Sequence, residues 1–318
     1  MGTTKKLVVY FLTVATIVGA VFSVNNAQNI IDWWRLRDYT PDARIEAVAD
    51  RTKMTEEGKK LFYVHDPTLL NKDNFQTSCT VGESTIVLGC YVSNQGIYLF
   101  DVEEERLDGV VEVTAAHEML HAGYDRLSLK EKDRIDKLLT EAYDRIDNVR
   151  LRGIIESYRT RDAGVVNNEL HSILGTEYRD LPSDLEEYYS KYFSDRLSVV
   201  VLAEAYAEEF EKREAQIAEF DSQLGSLNGE ITRLQAELTL QDSALQADRK
   251  KIESLRSDPE SYNKAVVIYN RNVATYNSGV NNVKSLIEKY NVVVVERNKI
   301  AVEERELVEA IDTRQSEL

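Results

Sequence analysis

Phe210, Ile217, Leu224, Ile231, Leu238, Leu245 and Ile252 fall at intervals of seven without a break, and this repeat constrains the fold more than any other feature of the chain. Three residues after positions in this row come Phe220, Leu227, Leu234 and Leu255, interrupted by Arg213, Gln241 and Asp248. A helix with such a stripe must bury it against another helix. The partner follows directly. Ser257-Asp258-Pro259 ends the run, after which Val266, Val273, Val280, Ile287 and Val294 form one row and Tyr269, Tyr276, Val283 and Tyr290 a second. The similar arms and short turn predict an antiparallel coiled-coil hairpin of roughly sixty residues per arm. Each of these seam tyrosines is followed by Asn, as is Tyr262, and seam packing explains their spacing without a ligand.

Composition agrees with a helical chain: Gly and Pro number 14 and 4, and charged residues make up 30%. The formal charge of −16, with no basic patch, excludes nucleic acid as a partner, because phosphate binding needs concentrated Lys and Arg.

Leu7 to Val24 run eighteen positions without a charge, long enough to cross a bilayer as a helix. Lys5 and Lys6 precede them and predict a cytoplasmic N-terminus, against which Arg35 and Arg37 weigh; Trp33 and Trp34 suit the outer interface. The other reading is a cleaved signal peptide, but Ser23 to Ala27 offer no convincing small-x-small site, so an uncleaved anchor is favoured. The expected location is the cell membrane, single-pass, with the remainder extracytoplasmic. Cys79 and Cys90 are the two cysteines; in that compartment they predict a disulfide, with two unpaired thiols as the alternative.

Between anchor and hairpin, residues 29–70 are polar with helical stretches, and Pro67 marks a break. From Thr85 to Val102 the β-branched and aromatic runs TIVLGCYV and GIYLFDV flank Ser93-Asn94-Gln95-Gly96, which predicts two strands joined by a hairpin turn. Asp108 reads as an N-cap, and Val110, Val113, Thr114, His117, Leu120 and His121 recur at helical spacing up to Gly123, a natural stop. One or two helices follow over 128–160, then a shorter one from Asn168 to Leu174 ending at Gly175, and another helical stretch from Asp184.

The chemistry centres on His117-Glu118-Met119-Leu120-His121. Positions i and i+4 of a helix face the same way, so both imidazoles can meet one Zn²⁺ while Glu118 addresses its water. A catalytic zinc needs a third protein ligand. The remaining histidines are His65 and His171, and the downstream Gly and His of a metzincin are absent, since Ala122-Gly123-Tyr124-Asp125-Arg126-Leu127 follows His121. That points to a glutamate. Glu169, 48 residues after His121, is the first choice and Glu177 the second.

Asn168-Glu169, placed on a second helix, resembles the ligand element of the gluzincin metallopeptidases. Glu169 with Ser172 and Glu177 is also similar to the glutamate helix of some zinc carboxypeptidases and oligopeptidases. The resemblance covers about residues 96–180. It implies a mostly helical, zincin-like α+β domain with a small sheet, metal ligands His117, His121 and Glu169, and Glu118 as general base. It also implies an oxyanion-stabilising Tyr or His, for which His171 and Tyr178 are nearest in sequence, and a substrate lying along an edge strand at Gly96 to Val102. The thermolysin-like pattern has an Asp four residues after the ligand Glu; Ile173 stands there, leaving Asp125, Glu177 and Asp180 as candidates to support a zinc histidine.

The expected organisation is a cytoplasmic tip and anchor over 1–28, a metallopeptidase-like domain over 29–205, and the hairpin over 206–318. The expected partners are a peptide or protein substrate, the membrane, and a second copy or an envelope protein held by the hairpin. The competing expectation is a coiled-coil envelope scaffold with a structural or non-catalytic metal site.

Overall fold

The computed structural model describes residues 27–79 and 86–314. The expected membrane segment Leu7–Val24, with Lys5 and Lys6, lies outside the described residues; among those described, no helix is long and apolar enough to cross a membrane. The chain divides into one unit formed by the residues up to Ala207 together with those from Ala310, and a second unit, Glu208–Glu309.

In the first unit α1 spans Ala27–Leu36, α2 Ala43–Arg51 and α3 Glu56–Tyr63. The Asp42 carboxylate starts α2 by accepting from Arg44 N and Ile45 N, both at 2.9 Å. Strand β1 (Thr68–Leu70) follows, then α4 (Lys72–Ser78), β2 (Gly89–Val92) and β3 (Gly96–Phe100). The β2–β3 hairpin turns where expected, with Asn94 left-handed at φ 64°. The sheet order is β1-β3-β2. β3 therefore lies in the middle, parallel to β1 and antiparallel to β2. Cys79 and Cys90 form the expected disulfide, tying the end of α4 to β2.

The central helix α5 (Val110–Asp125) buries twelve of its sixteen residues, so neighbours surround it on most sides. Its N-cap is Gly109 in the left-handed region (φ 95°), not Asp108, whose carboxylate pairs with Arg51 at 2.8 Å. Around it lie α6 (Leu129–Tyr143), opened by a Ser128–Glu131 capping box, α7 (Val149–Arg161), α8 (Val166–Glu177) and α9 (Ser183–Tyr189). Gly123 does not stop α5, nor Gly175 α8. Both are places of close packing: a Cβ on Gly123 would lie 3.2 Å from Tyr192 Oη, and one on Gly175 2.4 Å from Leu120 Cδ1 and 2.9 Å from Tyr189 Cε1.

Two long helices end the described chain, α10 (Leu197–Ser254, 58 residues) and α11 (Pro259–Ile311, 53 residues). Within the second unit they pair antiparallel, as the heptads predict: Asp221 meets Arg297, and nearer the turn Asp248 meets Asn272. Ile231, Val283 and Leu286 form a buried hydrophobic cluster between them. Here the seam departs from the sequence reading. Leu286 is 7% exposed and Ile287 38%, because two three-residue steps in succession (Val280, Val283, Leu286) rotate the stripe.

Candidate metal centre

His117 and His121 lie one turn apart on α5, and Glu169 lies in the first turn of α8, where the helix dipole favours a carboxylate. The fold brings the three together. Glu169 Oε2 is 3.7 Å from His117 Nε2 and Oε1 is 3.7 Å from His121 Nε2, while the two Nε2 atoms are 3.0 Å apart. One ligand atom from each residue lies within 4.8 Å of the others. His121 Nδ1 lies 3.0 Å from Asn168 Oδ1; with the proton on Nδ1 donating to that oxygen, the Nε2 lone pair faces the cluster. Glu169 Oε2 is buried without a hydrogen-bond partner. Two ring nitrogens in contact beside an orphaned carboxylate oxygen form a donor set that a divalent cation satisfies, and these residues fit one.

Burial on its own would raise the Glu169 carboxyl, yet contact with His117, the charges of both histidines and the Tyr158 hydroxyl bring it below its ordinary range. The Glu169 carboxyl is thus favoured in its ionised form beside the two imidazoles. A second set of bonds steadies the helices: Asp136 on α6 accepts from Tyr124 of α5 and from Asn167 of α8, each at 2.8 Å. The adjacent asparagines thus divide the work, Asn167 bolting α8 to α6 and Asn168 orienting the candidate ligand His121.

His117, Glu118, His121 and Glu169 line a cleft of about 370 Å³ whose opposite wall is the segment Ile86–Tyr91. The strand comes very close to the helix at Gly89, where a Cβ would meet Thr114 Cγ2 at 2.5 Å and Glu118 Cγ at 2.9 Å. Only glycine permits that approach. The wall is thus β2 and its leader. Gly96–Phe100, the expected substrate strand, is paired on both sides and has no free edge.

Other sequence candidates are placed elsewhere. His171 is fully buried, with Nε2 2.8 Å from Tyr188 Oη and its ring packed against Tyr124 and Tyr189. Burial, then the charges of His121 and His117, push it down to about 3, so it is a neutral core residue. Tyr178 packs partly buried on the core and does not line the cleft. Glu177 reaches the cleft but pairs with Arg150 at 2.8 Å and stands outside the ligand cluster. The side chain that meets a candidate ligand histidine is Asn168, whose Oδ1 lies 3.0 Å from His121 Nδ1, and not one of the acids Asp125 or Asp180 named from the sequence. Sequence reasoning missed Tyr158 and Tyr206, which line the cleft from α7 and α10 and carry no local motif. No known protein family, curated protein or solved structure matches this chain.

Proposed function

We propose that the chain is a membrane-anchored, extracytoplasmic zinc metallopeptidase of the gluzincin type, with Glu118 as general base. The observation that carries this reading is the convergence of His117, His121 and Glu169 beside Glu118, in a cleft walled by a sheet edge. Two imidazoles and one carboxylate suit zinc, which when bound supplies a Lewis acid and an acidic water. Asn168 fixes the His121 tautomer, and Tyr158 helps keep Glu169 ionised. The edge of β2, unpaired among the described residues, receives the substrate main chain as an added strand, and Gly89 lets β2 itself lie against Thr114 and Glu118. Glu118 takes the proton of the attacking water and returns it to the leaving amine nitrogen. Leu7–Val24, with Lys5 and Lys6 before it, supports anchoring with this unit outside the cytoplasm. The hairpin is the surface for a second copy or an envelope protein.

Glu118→Gln tests the assignment. The variant is expected to keep its zinc, measured by elemental analysis, and to lose hydrolysis of an unstructured protein by about 10²- to 10⁴-fold. Undiminished hydrolysis would overturn the role of Glu118. A zinc-loaded wild type inert toward peptides would leave the chain a coiled-coil scaffold with a structural metal site.

A further inference from the structure

The edge of β2 continues into Leu88 and Val87, and this leading segment is not open. Phe100 N donates to Leu88 O at 2.8 Å, and the register pairs Cys90 with Tyr98 and Val92 with Gly96. Antiparallel alternation therefore turns the main-chain groups of Leu88, Cys90 and Val92 toward β3 and those of Val87, Gly89 and Tyr91 away from it. The latter three residues all line the cleft. The first of their positions is taken. Thr313, just past α11, donates its hydroxyl to Val87 O at 2.7 Å and accepts from Val87 N at 3.4 Å, so it satisfies both groups that an incoming strand would use there. Thr313 is 7% exposed. Gln76 holds it from α4, donating to Thr313 O at 2.8 Å and Arg314 O at 3.0 Å, and Arg314 turns back onto Asp312 at 2.8 Å.

We infer that Thr313 is an end-stop for the substrate strand and makes this a peptidase that removes short fragments from the C-terminus of its substrates. The inference rests on the peptidase reading above. Antiparallel addition is the stronger pairing, and it directs the C-terminal side of the substrate along β2 toward Val87. Gly89 lies against Glu118, so the bond facing the general base sits at the Gly89 position. From there to Val87 the edge accommodates about two substrate residues at 3.3 Å each before Thr313 blocks it. On the other side, at Tyr91, no main-chain or side-chain group among the described residues takes the strand's outward hydrogen bonds. Each turnover adds one water across one amide, leaving a carboxylate on the shortened chain and an amine on the released fragment.

The test is a set of peptides sharing one core sequence and carrying C-terminal extensions of increasing length, with products read by mass spectrometry. The zinc-loaded wild type is compared with Thr313→Val and Gln76→Ala, and Glu118→Gln serves as the blank. Wild-type rates are expected to fall about tenfold once the extension passes about two residues, the loss of one pair of strand hydrogen bonds. Both variants are expected to remove that drop, and amide exchange at Val87 to quicken in Thr313→Val while Cys90 stays protected. Wild-type rates independent of extension, or a limit unchanged in both variants, would overturn the end-stop alone, since hydrolysis would still separate wild type from Glu118→Gln. No hydrolysis by the wild type would overturn the peptidase reading and the end-stop with it.

Discussion

Glu169 and His171 stand two residues apart on one helix, a rotation of about 200° at 3.6 residues per turn, so a helix that presents one to the candidate metal-binding cluster turns the other into the core. Proximity in sequence to a ligand therefore argued against His171, and its contacts with Tyr188 and Tyr189 follow from that geometry. His117, Glu118 and His121 were legible because their relation is local to one helix. The work of Asn168 was not, since it depends on α8 approaching α5 from 47 residues away. Asn168→Ala is expected to weaken zinc binding about 10- to 100-fold, as loss of a ligand-orienting hydrogen bond does elsewhere, and Asn168→Asp to restore it. Competition with a chromophoric chelator measures this. Equal affinity in Asn168→Ala would show that the bond to His121 Nδ1 does not orient the ring.

Among the elements, the strongly periodic ones were readable and the glycines were not. A glycine near the end of an apolar-periodic run is the usual sign of a helix stop, yet Gly123 and Gly175 lie inside α5 and α8 and let those helices approach Tyr192, Leu120 and Tyr189. β1 escaped because it is three residues long and its partner β3 is remote in sequence, so neither alternation nor a turn announces it. The hairpin differs: Gly225 and Gly229 of α10 would meet nothing within 4 Å if given a Cβ. The same substitution should therefore have opposite signs on two helices. Gly175→Ala is expected to destabilise by about 1–3 kcal/mol through overpacking against Leu120, while Gly225→Ala and Gly229→Ala gain up to about 1 kcal/mol each from helix propensity. Denaturant unfolding distinguishes them, and a stabilising Gly175→Ala would refute the close-packing account of that residue.

Over the whole molecule, the sequence made the long hairpin plain because a heptad is a local code, but not that residues from Ala310 onward rejoin the first unit, where Thr313 meets Val87. Nothing in a heptad specifies where the chain goes when it stops. The proposed zinc ties together helices equally remote in sequence, two ligands from α5 and one from α8, so it should stabilise the first unit as a whole. At a free zinc concentration a thousandfold above the dissociation constant, linkage contributes about 4 kcal/mol. For a unit of this size that corresponds to a rise of about 8–16 °C in its unfolding midpoint. The near-ultraviolet dichroism of the buried Tyr188, Tyr189 and Tyr192 reports this unit, whereas far-ultraviolet helicity is dominated by α10 and α11. Chelation is expected to lower the tyrosine midpoint by that amount and to leave most of the helical signal in place up to the melting of the hairpin. The shift should disappear in Glu169→Ala. A midpoint indifferent to chelator in the wild type would mean that His117, His121 and Glu169 hold no metal that couples α5 to α8.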